Sequence, residues 1–222
     1  MGEKYPEFLQ TFPTVRSLAG APVADVLTQW QGLGYNRRAL FLKRAAEKIV
    51  FDYGGKVPAN GEDLMSLPGV GQSTAGAVLA FGFNKPSVFI ETNIRRTIIH
   101  FFFAGEREIS DTEVRELVKR ILPRENFREW YWALMDYGAK LAEEEKENPN
   151  RRSKHHAVQP RFEGSRRQIR GIILRELAKG NSSQKNLSNC TGRKGRQLRD
   201  ILADLTKEGF IEKQGSMYGL KR

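Results

Sequence analysis

The segment Leu67–Ala75 combines residue types that can bind an anion. Gly69 and Gly71 flank one apolar residue, Val70, and glycine tolerates the positive φ of a tight turn because it has no Cβ. The apolar segment Thr74–Phe83 is then predicted to be a helix. Amides at a helix start lack an intrahelical acceptor, and the helix dipole is positive there, so this turn would form an anion site. The amides concerned belong to Gly71, Gln72 and Ser73.

A second helix is predicted just before this turn, over Asn60–Ser66. The unit is therefore a helix–hairpin–helix, which can hold a phosphate of a nucleic acid without reading its base sequence. An ordinary corner between two helices has the same spacing, and the spacing alone favours neither interpretation.

The composition is that of a soluble globular protein. The chain has 222 residues, of which 39% are hydrophobic and 28% charged, enough for one large domain or two modest ones. The longest apolar run, Ala75–Phe83, is too short to span a bilayer, and Met1–Gln10 lacks the pattern of a secretory signal. A single cysteine, Cys190, excludes an internal disulfide and a four-cysteine metal site.

The positive charge is concentrated in the last third of the chain. Residues 1–150 contain 19 Lys and Arg against 20 Asp and Glu, whereas residues 151–222 contain 18 against 6. The net charge of +11 is therefore the sum of −1 and +12. A basic tail on a nearly neutral body favours a polyanionic partner such as nucleic acid, although such a tail can also be merely solubilising.

The first two thirds of the chain are predicted to be helical. Pro22 suits the first position of one helix, and Asn36 can cap the next. Ser110, with Glu113 three residues on, has the capping-box pattern. A last aromatic-rich helix contains Phe127, Trp130, Tyr131, Leu134 and Leu141. No alternating pattern demands a sheet here, so we predict an all-α body over residues 1–142, followed by a basic linker, or a lid lying on the surface, over 143–163.

Residues 164–222 are predicted to form three helices and a hairpin. Ser182 or Ser183 can cap the second helix, and the two strands flank a turn at Gln214-Gly215. This is the pattern of a winged helix–turn–helix domain, whose third helix carries basic side chains to a DNA groove. Those side chains are Arg193, Lys194, Arg196 and Arg199. A winged helix can also bind protein, but the basic residues favour DNA.

Several segments, in the right order, resemble the helix–hairpin–helix DNA glycosylases of the endonuclease III and MutY superfamily. The segments are Leu67–Ala75, Val88–Arg96, Phe12–Val15, Trp30–Tyr35 and Ala133–Ala139. The last three resemble the MutY branch in particular. The resemblance covers residues 5–142, which is nearly the whole helical body.

The resemblance implies excision of a base from DNA. Family members flip a damaged or mispaired base out of the duplex and hydrolyse its N-glycosidic bond through an oxocarbenium-like transition state. The family's catalytic aspartate corresponds to Glu91, whose extra methylene would move the carboxylate outward by roughly an ångström or more. The alternative is a solvated glutamate, or one paired with Arg95 or Arg96.

The resemblance also assigns roles to other positions. Members that cut the strand have a lysine nucleophile where this chain has Ser73, which cannot form a Schiff base, so monofunctional hydrolysis is implied. Tyr35 matches a tyrosine that wedges into the base stack, the alternative being a core tyrosine beneath the turn at Gly34. The predicted DNA-binding residues are Gly69, Val70, Gly71, Gln72, Ser73, Thr74, Tyr35, Arg37, Arg95, Arg193, Lys194, Arg196 and Arg199.

Three features depart from the family pattern. MutY relatives carry a glutamate general acid on a helix before the segment of Tyr5, and no residue of Met1–Gln10 matches it; losing a positioned acid costs about 10²–10⁴-fold in rate. The four-cysteine iron–sulfur loop that follows Ala139 in many relatives is replaced by Lys140–Asn150, which predicts no iron–sulfur cofactor. The basic tail stands where MutY has its domain for reading 8-oxoguanine.

We therefore expect an all-α helix–hairpin–helix glycosylase body with a small α+β winged-helix C-terminal domain. The expected function is monofunctional removal of adenine mispaired with 8-oxoguanine or guanine in double-stranded DNA, without metal or cofactor. The alternative is a catalytically inert DNA- or lesion-binding protein of the same fold. We expect a cytoplasmic monomer, nucleoid-associated if prokaryotic, with no membrane contact.

Overall fold

The structure, a computed structural model, describes residues 4–157 and 160–222. The N-terminal helices are α1 (Lys4–Thr11), α2 (Val15–Gly20), α3 (Val23–Gln29), α4 (Arg37–Asp52), α5 (Gly61–Met65) and α6 (Gln72–Ala77). The central helices are α7 (Thr92–Phe102), α8 (Asp111–Ile121) and α9 (Phe127–Glu144). The C-terminal elements are α10 (Arg166–Leu177), β1 (Ser182–Ser183), α11 (Gln184–Thr191), α12 (Gly195–Glu208), β2 (Ile211–Gln214) and β3 (Met217–Leu220).

The chain packs into two compact units that do not follow its order. The first unit comprises the described residues of Met1–Val57, Leu67–Gly69 and Pro160–Arg222. The second comprises those of Pro58–Ser66 and Val70–Gln159.

Helices from both ends of the chain share the core of the first unit. Its buried residues include Phe12, Leu18, Val26, Leu27 and Leu40 from the N-terminal helices and Ile173, Leu187, Leu198, Leu202 and Phe210 from the C-terminal elements. In addition, the amide of Ala24 in α3 donates a hydrogen bond of 3.0 Å to the carbonyl of Lys221. The domain boundaries predicted along the sequence do not anticipate this shared core, and they remain a prediction.

The C-terminal elements include a three-stranded antiparallel sheet with β3 in the middle. Ile211 of β2 pairs with Leu220 of β3, and Ser182 of β1 pairs with Tyr218. The predicted hairpin is confirmed, and Gly215 has the positive φ of 60° that its turn needs. The strand β1 was not predicted, because two serines carry no alternating apolar pattern.

The second unit is built around α7 and α9. Its buried residues include Phe89, Ile94, Ile98, Val114 and Tyr131. The hydroxyl of Tyr131 donates to the carbonyl of Ser87 (2.7 Å), and burial raises the pKa of Tyr131 to about 12. The two helices approach closely at Gly138, where a Cβ would lie 2.2 Å from the carbonyl oxygen of Asn93. Only glycine leaves room for this contact.

Most local helix signals of the sequence are confirmed. In the capping box, the hydroxyl of Ser110 accepts from the amide of Glu113 (3.3 Å), whose carboxylate accepts from the amide of Ser110 (2.9 Å). The hydroxyl of Ser183 accepts from the amide of Asn186 (3.3 Å) at the start of α11. Asn36 precedes α4, but the prediction that its side chain caps the helix is wrong, because Asn36 itself has helical φ and ψ.

Two segments differ from the sequence prediction. The apolar helix begins at Gln72 instead of Thr74, and its second half, Val78–Gly82, is π-helical. Within the predicted linker, Pro149–Arg152 forms a 3₁₀-helix that packs against α7 and buries Pro149 and Asn150. Part of the predicted linker therefore belongs to the packed second unit. No helix within 4–157 or 160–222 has the length and apolar character needed to cross a bilayer.

Candidate functional site

Glu91 is the N-cap residue of α7. It follows the buried residues Phe89 and Ile90 and has an extended backbone. Its Oε1 accepts hydrogen bonds from the amides of Asn93 (2.6 Å) and Ile94 (2.7 Å). The start of a helix favours negative charge because of its free amides and its dipole. The structure therefore holds the Glu91 carboxylate at a defined point in front of α7, and its catalytic role remains a prediction.

The two arginines that follow Glu91 have other partners. Arg95 donates two hydrogen bonds of 2.8 Å to Asp111, and these lower the pKa of Asp111. Arg96 is buried and donates to Oδ1 of Asn93 (2.7 Å). Glu91 thus caps α7 instead of pairing with either arginine, so the paired alternative drawn from the sequence is wrong. A contact between Arg95 and DNA remains a prediction.

The hairpin before α6 has one left-handed glycine, although two were expected. Gly69 has a φ of +77°, and a Cβ at this residue would lie 2.6 Å from the Cβ of Phe41. Gly71 has a φ of −97° and open space around the position of a Cβ. The requirement for glycine is therefore confirmed at Gly69 and wrong at Gly71.

The start of α6 is exposed and carries no side-chain cap. Its first intrahelical hydrogen bond runs from the amide of Ala75 to the carbonyl of Gly71 (2.9 Å). The three amides before it, those of Gln72, Ser73 and Thr74, lie ahead of the first position that can bond within the helix. This is the geometry that binding of a phosphate requires.

Tyr35 lies on the surface in a loop of unusual backbone conformation. Gly32, Gly34 and Tyr35 all have positive φ, which is uncommon for a non-glycine residue. The indole Nε1 of Trp30 donates to the carbonyl of Gly34 (2.9 Å). Tyr35 is 60% exposed, so the alternative of a core tyrosine is wrong. Backbone strain at an exposed aromatic residue is typical of functional loops, and the wedge role of Tyr35 remains a prediction.

Arg37, predicted to bind DNA, lies in the first turn of α4 and forms an ion pair. Its guanidinium donates two hydrogen bonds of 2.8 Å to the carboxylate of Glu208. Arg170 donates two more to the same carboxylate, at 2.9 and 2.7 Å. The hydrogen bonds from Arg37 and then those from Arg170 lower the pKa of Glu208 to about 2. Arg37 thus has a structural partner, and its contact with DNA remains a prediction.

The basic residues of the tail are divided between a turn and a helix. Because α12 begins at Gly195, Arg193 and Lys194 precede the helix, although the sequence placed them on it. Arg193 is half-buried and donates to a backbone carbonyl, whereas Arg196 and Arg199 are exposed on α12. The opposite face of α12 is buried and consists of Leu198, Ile201, Leu202 and Leu205.

No metal site is evident in the part of the chain that the structure describes. There, no group of three or more His, Cys, Asp or Glu residues is arranged to hold a metal ion. The one cysteine, Cys190, is free and exposed. The absence of a metal or cofactor remains a prediction.

Three residues that contact α7 could not be identified from the sequence. Asn148, Asn150 and Arg152 lie in the charged segment after α9, yet each hydrogen-bonds to α7. Polar residues without periodicity give no sign of burial. Their one signal is the Asn148-Pro149 pair, a combination that favours the start of a turn.

The helix–hairpin–helix arrangement agrees with a comparison to known families. The model of the HhH-GPD superfamily base excision DNA repair protein matches residues 2–124, more than half of the chain. The chain belongs to this superfamily. Its helical part therefore has the helix–hairpin–helix glycosylase fold, to which the small antiparallel sheet is added at the C-terminal end.

Two curated relatives and one solved structure are similar to this chain. An adenine DNA glycosylase of Buchnera aphidicola subsp. Baizongia pistaciae (strain Bp) is 32% identical over 139 residues, covering 61% of this chain and 39% of the relative. A thymine/uracil-DNA glycosylase of Methanothermobacter thermautotrophicus is 30% identical over 139 residues, which cover 61% of this chain and 62% of the relative. The solved structure of a thermostable thymine-DNA glycosylase matches with a TM-score of 0.58 at 27% identity. The match covers 66% of this chain and 69% of the solved one. This chain thus spans about two fifths of the adenine-specific relative.

Proposed function

We propose that this protein is a DNA N-glycosylase of base excision repair, acting as a monomer on double-stranded DNA. The proposed substrate is adenine mispaired with 8-oxoguanine or guanine, by analogy with the relative named adenine DNA glycosylase. The single observation that carries the proposal is the carboxylate of Glu91, held by two amides at the start of α7 within the family-matched residues.

Hydrolysis of a base inside a duplex requires that the nucleotide first leave the stack. Flipping costs a few kcal/mol, and the cost is lowest for a mispaired or damaged base. In the proposal, the exposed amides at the start of α6 hold a backbone phosphate, and Tyr35, exposed on its loop, fills the gap in the stack. Both features contact DNA without reading a base sequence.

Glu91 supplies the charge that the transition state needs. As the bond to the base lengthens, positive charge develops on the sugar, and a fixed carboxylate beside it lowers the energy of that state. Glutamate is longer than the aspartate of the family, but the hydrogen bonds from Asn93 and Ile94 fold its side chain back over the helix start. The two bonds restrict its rotamers, so the longer side chain keeps a defined position.

The proposed reaction stops at an abasic site. Ser73 lies in the first turn of α6, where its exposed hydroxyl cannot form a Schiff base with the sugar. Water is therefore the nucleophile, and the DNA strand stays intact.

The C-terminal elements are proposed to be a winged helix–turn–helix that adds a second DNA contact. In this proposal α11 and α12 form the helix–turn–helix and the β2–β3 hairpin forms the wing. Arg196 and Arg199 project from the exposed face of α12, where they would reach the phosphates or base edges of a groove.

A second candidate is removal of thymine or uracil from a mismatch with guanine. It is favoured by the relative named thymine/uracil-DNA glycosylase, because the match covers 62% of that protein. The match covers only 39% of the relative named adenine DNA glycosylase. Both candidates use the same carboxylate and differ in the base that is released.

The test is a single-turnover assay on four labelled duplexes containing A:8-oxoguanine, A:G, T:G or U:G. The proposal predicts free adenine from the first two and a strand that breaks only after alkali treatment. Thymine or uracil from the last two would support the second candidate instead. No base from any duplex, with binding intact, would overturn the enzymatic proposal and leave a DNA-binding protein.

A further inference from the structure

The residues Asn148–Ser153, here named the strap, run along α7. They follow a run of charged residues, yet Pro149, Asn150 and Ser153 are buried. Asn150 is only 4% exposed. A polar side chain that is buried this deeply is normally retained for a hydrogen bond that it makes.

The strap contacts the first turn of α7, the turn that Glu91 caps. The Nδ2 of Asn150 donates to the carbonyl of Thr92 (3.0 Å). The Oδ1 of Asn148 accepts from the Nε of Arg96 (3.1 Å), whose guanidinium also donates to Asn93. Two strap side chains are therefore tied to the turn, one of them directly and the other through a buried arginine.

The strap also holds the other end of α7. Arg152 donates through Nη2 to the carbonyl of Ile99 (3.1 Å) and through Nη1 to the carbonyl of Phe103. The carbonyl of Ile99 also accepts from the amide of Phe103, the C-cap residue (3.3 Å), so Arg152 adds a second hydrogen bond at this end of the helix. The strap thus contacts both ends of α7. Substitution of Asn150 affects only the start of the helix, and substitution of Arg152 affects only its end.

We propose that Asn150 is a positioning residue for Glu91. The location of the Glu91 carboxylate is set by the amides of Asn93 and Ile94, to which it is bonded. Terminal turns of helices fray, and a hydrogen bond from outside the helix to the first turn restricts this motion. The bond from Asn150 to the carbonyl of Thr92 does this. The inference rests on the proposed function, because it assigns to Asn150 the alignment of the carboxylate proposed to act there.

The effect of Asn150 on the first turn of α7 can be separated from its effect on the stability of the whole protein. The Oδ1 of Asn150 is buried with no hydrogen-bond partner among the described residues. Replacement by alanine removes one hydrogen bond and also one unsatisfied acceptor, and these two effects on stability oppose each other. The variant should therefore unfold at nearly the same temperature as the wild type, while the first turn of α7 loosens.

The experiment measures amide hydrogen exchange along α7 in the full chain. In Asn150→Ala, the amides of Asn93 and Ile94 are expected to exchange at least tenfold faster, with Ile98 changed less than twofold. Asn150→Leu has a side chain of similar shape that lacks the donor and buries no charge, and it should behave in the same way. Arg152→Gln is the matched control, because it frees only the far end of α7 and leaves Asn93 and Ile94 protected.

A second readout is the single-turnover rate of base release. It should fall about tenfold in Asn150→Ala and Asn150→Leu, with affinity for uncleaved duplex unchanged. The proposal is overturned if exchange at Asn93 and Ile94 matches the wild type, if all of α7 exchanges faster to the same extent, or if release keeps its rate. Should the wild type release no base, the proposed function fails, whereas the exchange data alone still decide whether Asn150 orders the turn that holds Glu91.

Discussion

The carboxylate of Glu208, in the last turn of α12, accepts two hydrogen bonds of 2.8 Å from Arg37, in the first turn of α4. The two residues are 171 positions apart in the sequence. A third partner, Arg170, joins them, so one carboxylate links three helices of the first unit. This is the polar counterpart of the apolar core that both ends of the chain share.

The Glu208 site predicts a pH-dependent contribution to stability. The folded pKa of about 2 lies below the ordinary 4.5, so the contribution is complete above pH 5 and is lost as the pH falls through 4 toward 2. Glu208→Gln should lower the free energy of unfolding by on the order of 2 kcal/mol at pH 7 and by progressively less toward pH 3. Urea unfolding at several pH values measures this difference. Glu163→Gln is the control, since its pair with Arg161 is largely exposed and contributes little; an equal loss at pH 7 and pH 3 would contradict the prediction.

The two hairpin glycines should respond differently to the same substitution. Gly69→Ala places a Cβ 2.6 Å from Phe41 at a φ of +77°, and should cost about 1–3 kcal/mol of stability. Gly71→Ala meets open space at an ordinary φ and should change stability by no more than about 0.5 kcal/mol. Chemical denaturation of both variants measures the difference. Equal effects would show that the hairpin does not have the described conformation.

The exposed arginines of α12 should determine part of the salt dependence of DNA binding. Each phosphate contact contributes about 0.9 to the slope of log affinity against log salt, so Arg196→Gln combined with Arg199→Gln should flatten the slope by about 2. Titrations of duplex DNA at several salt concentrations measure it. Lys119→Gln with Arg120→Gln, on the exposed end of α8, is the matched control. An unchanged slope would mean that the tail binds something other than DNA.

Local features of the fold could be predicted from the sequence. The capping box of Ser110 and Glu113 depends on residues three positions apart, and it forms as expected. The hairpin with Gly215 in its turn was equally evident, because the requirement for positive φ is a property of one residue. The catalytic role of Glu91 is inferred from the family resemblance and remains a prediction, whereas its capping bonds involve only the next three residues.

Other features depend on contacts between distant residues and could not be predicted. The pairing of Arg37 with Glu208 and the bond from Asn150 to Thr92 join residues that no short-range pattern connects. Strand β1 is two residues long and exists only because β3 lies beside it. In each case, tertiary packing decides the structure, and local propensity gives no signal.

Base release by Glu91→Gln decides whether the carboxylate of Glu91 takes part in the reaction. The amide oxygen of glutamine can still accept the hydrogen bonds from Asn93 and Ile94, so the substitution removes charge and preserves the cap. We predict that the single-turnover rate falls by about 100-fold or more, because electrostatic stabilisation of the transition state is lost. Duplex affinity should stay within about threefold of the wild type, and Glu129→Gln, an exposed glutamate on α9, should release base at the wild-type rate. A Glu91→Gln variant that releases base as fast as the wild type would show that this carboxylate is not catalytic.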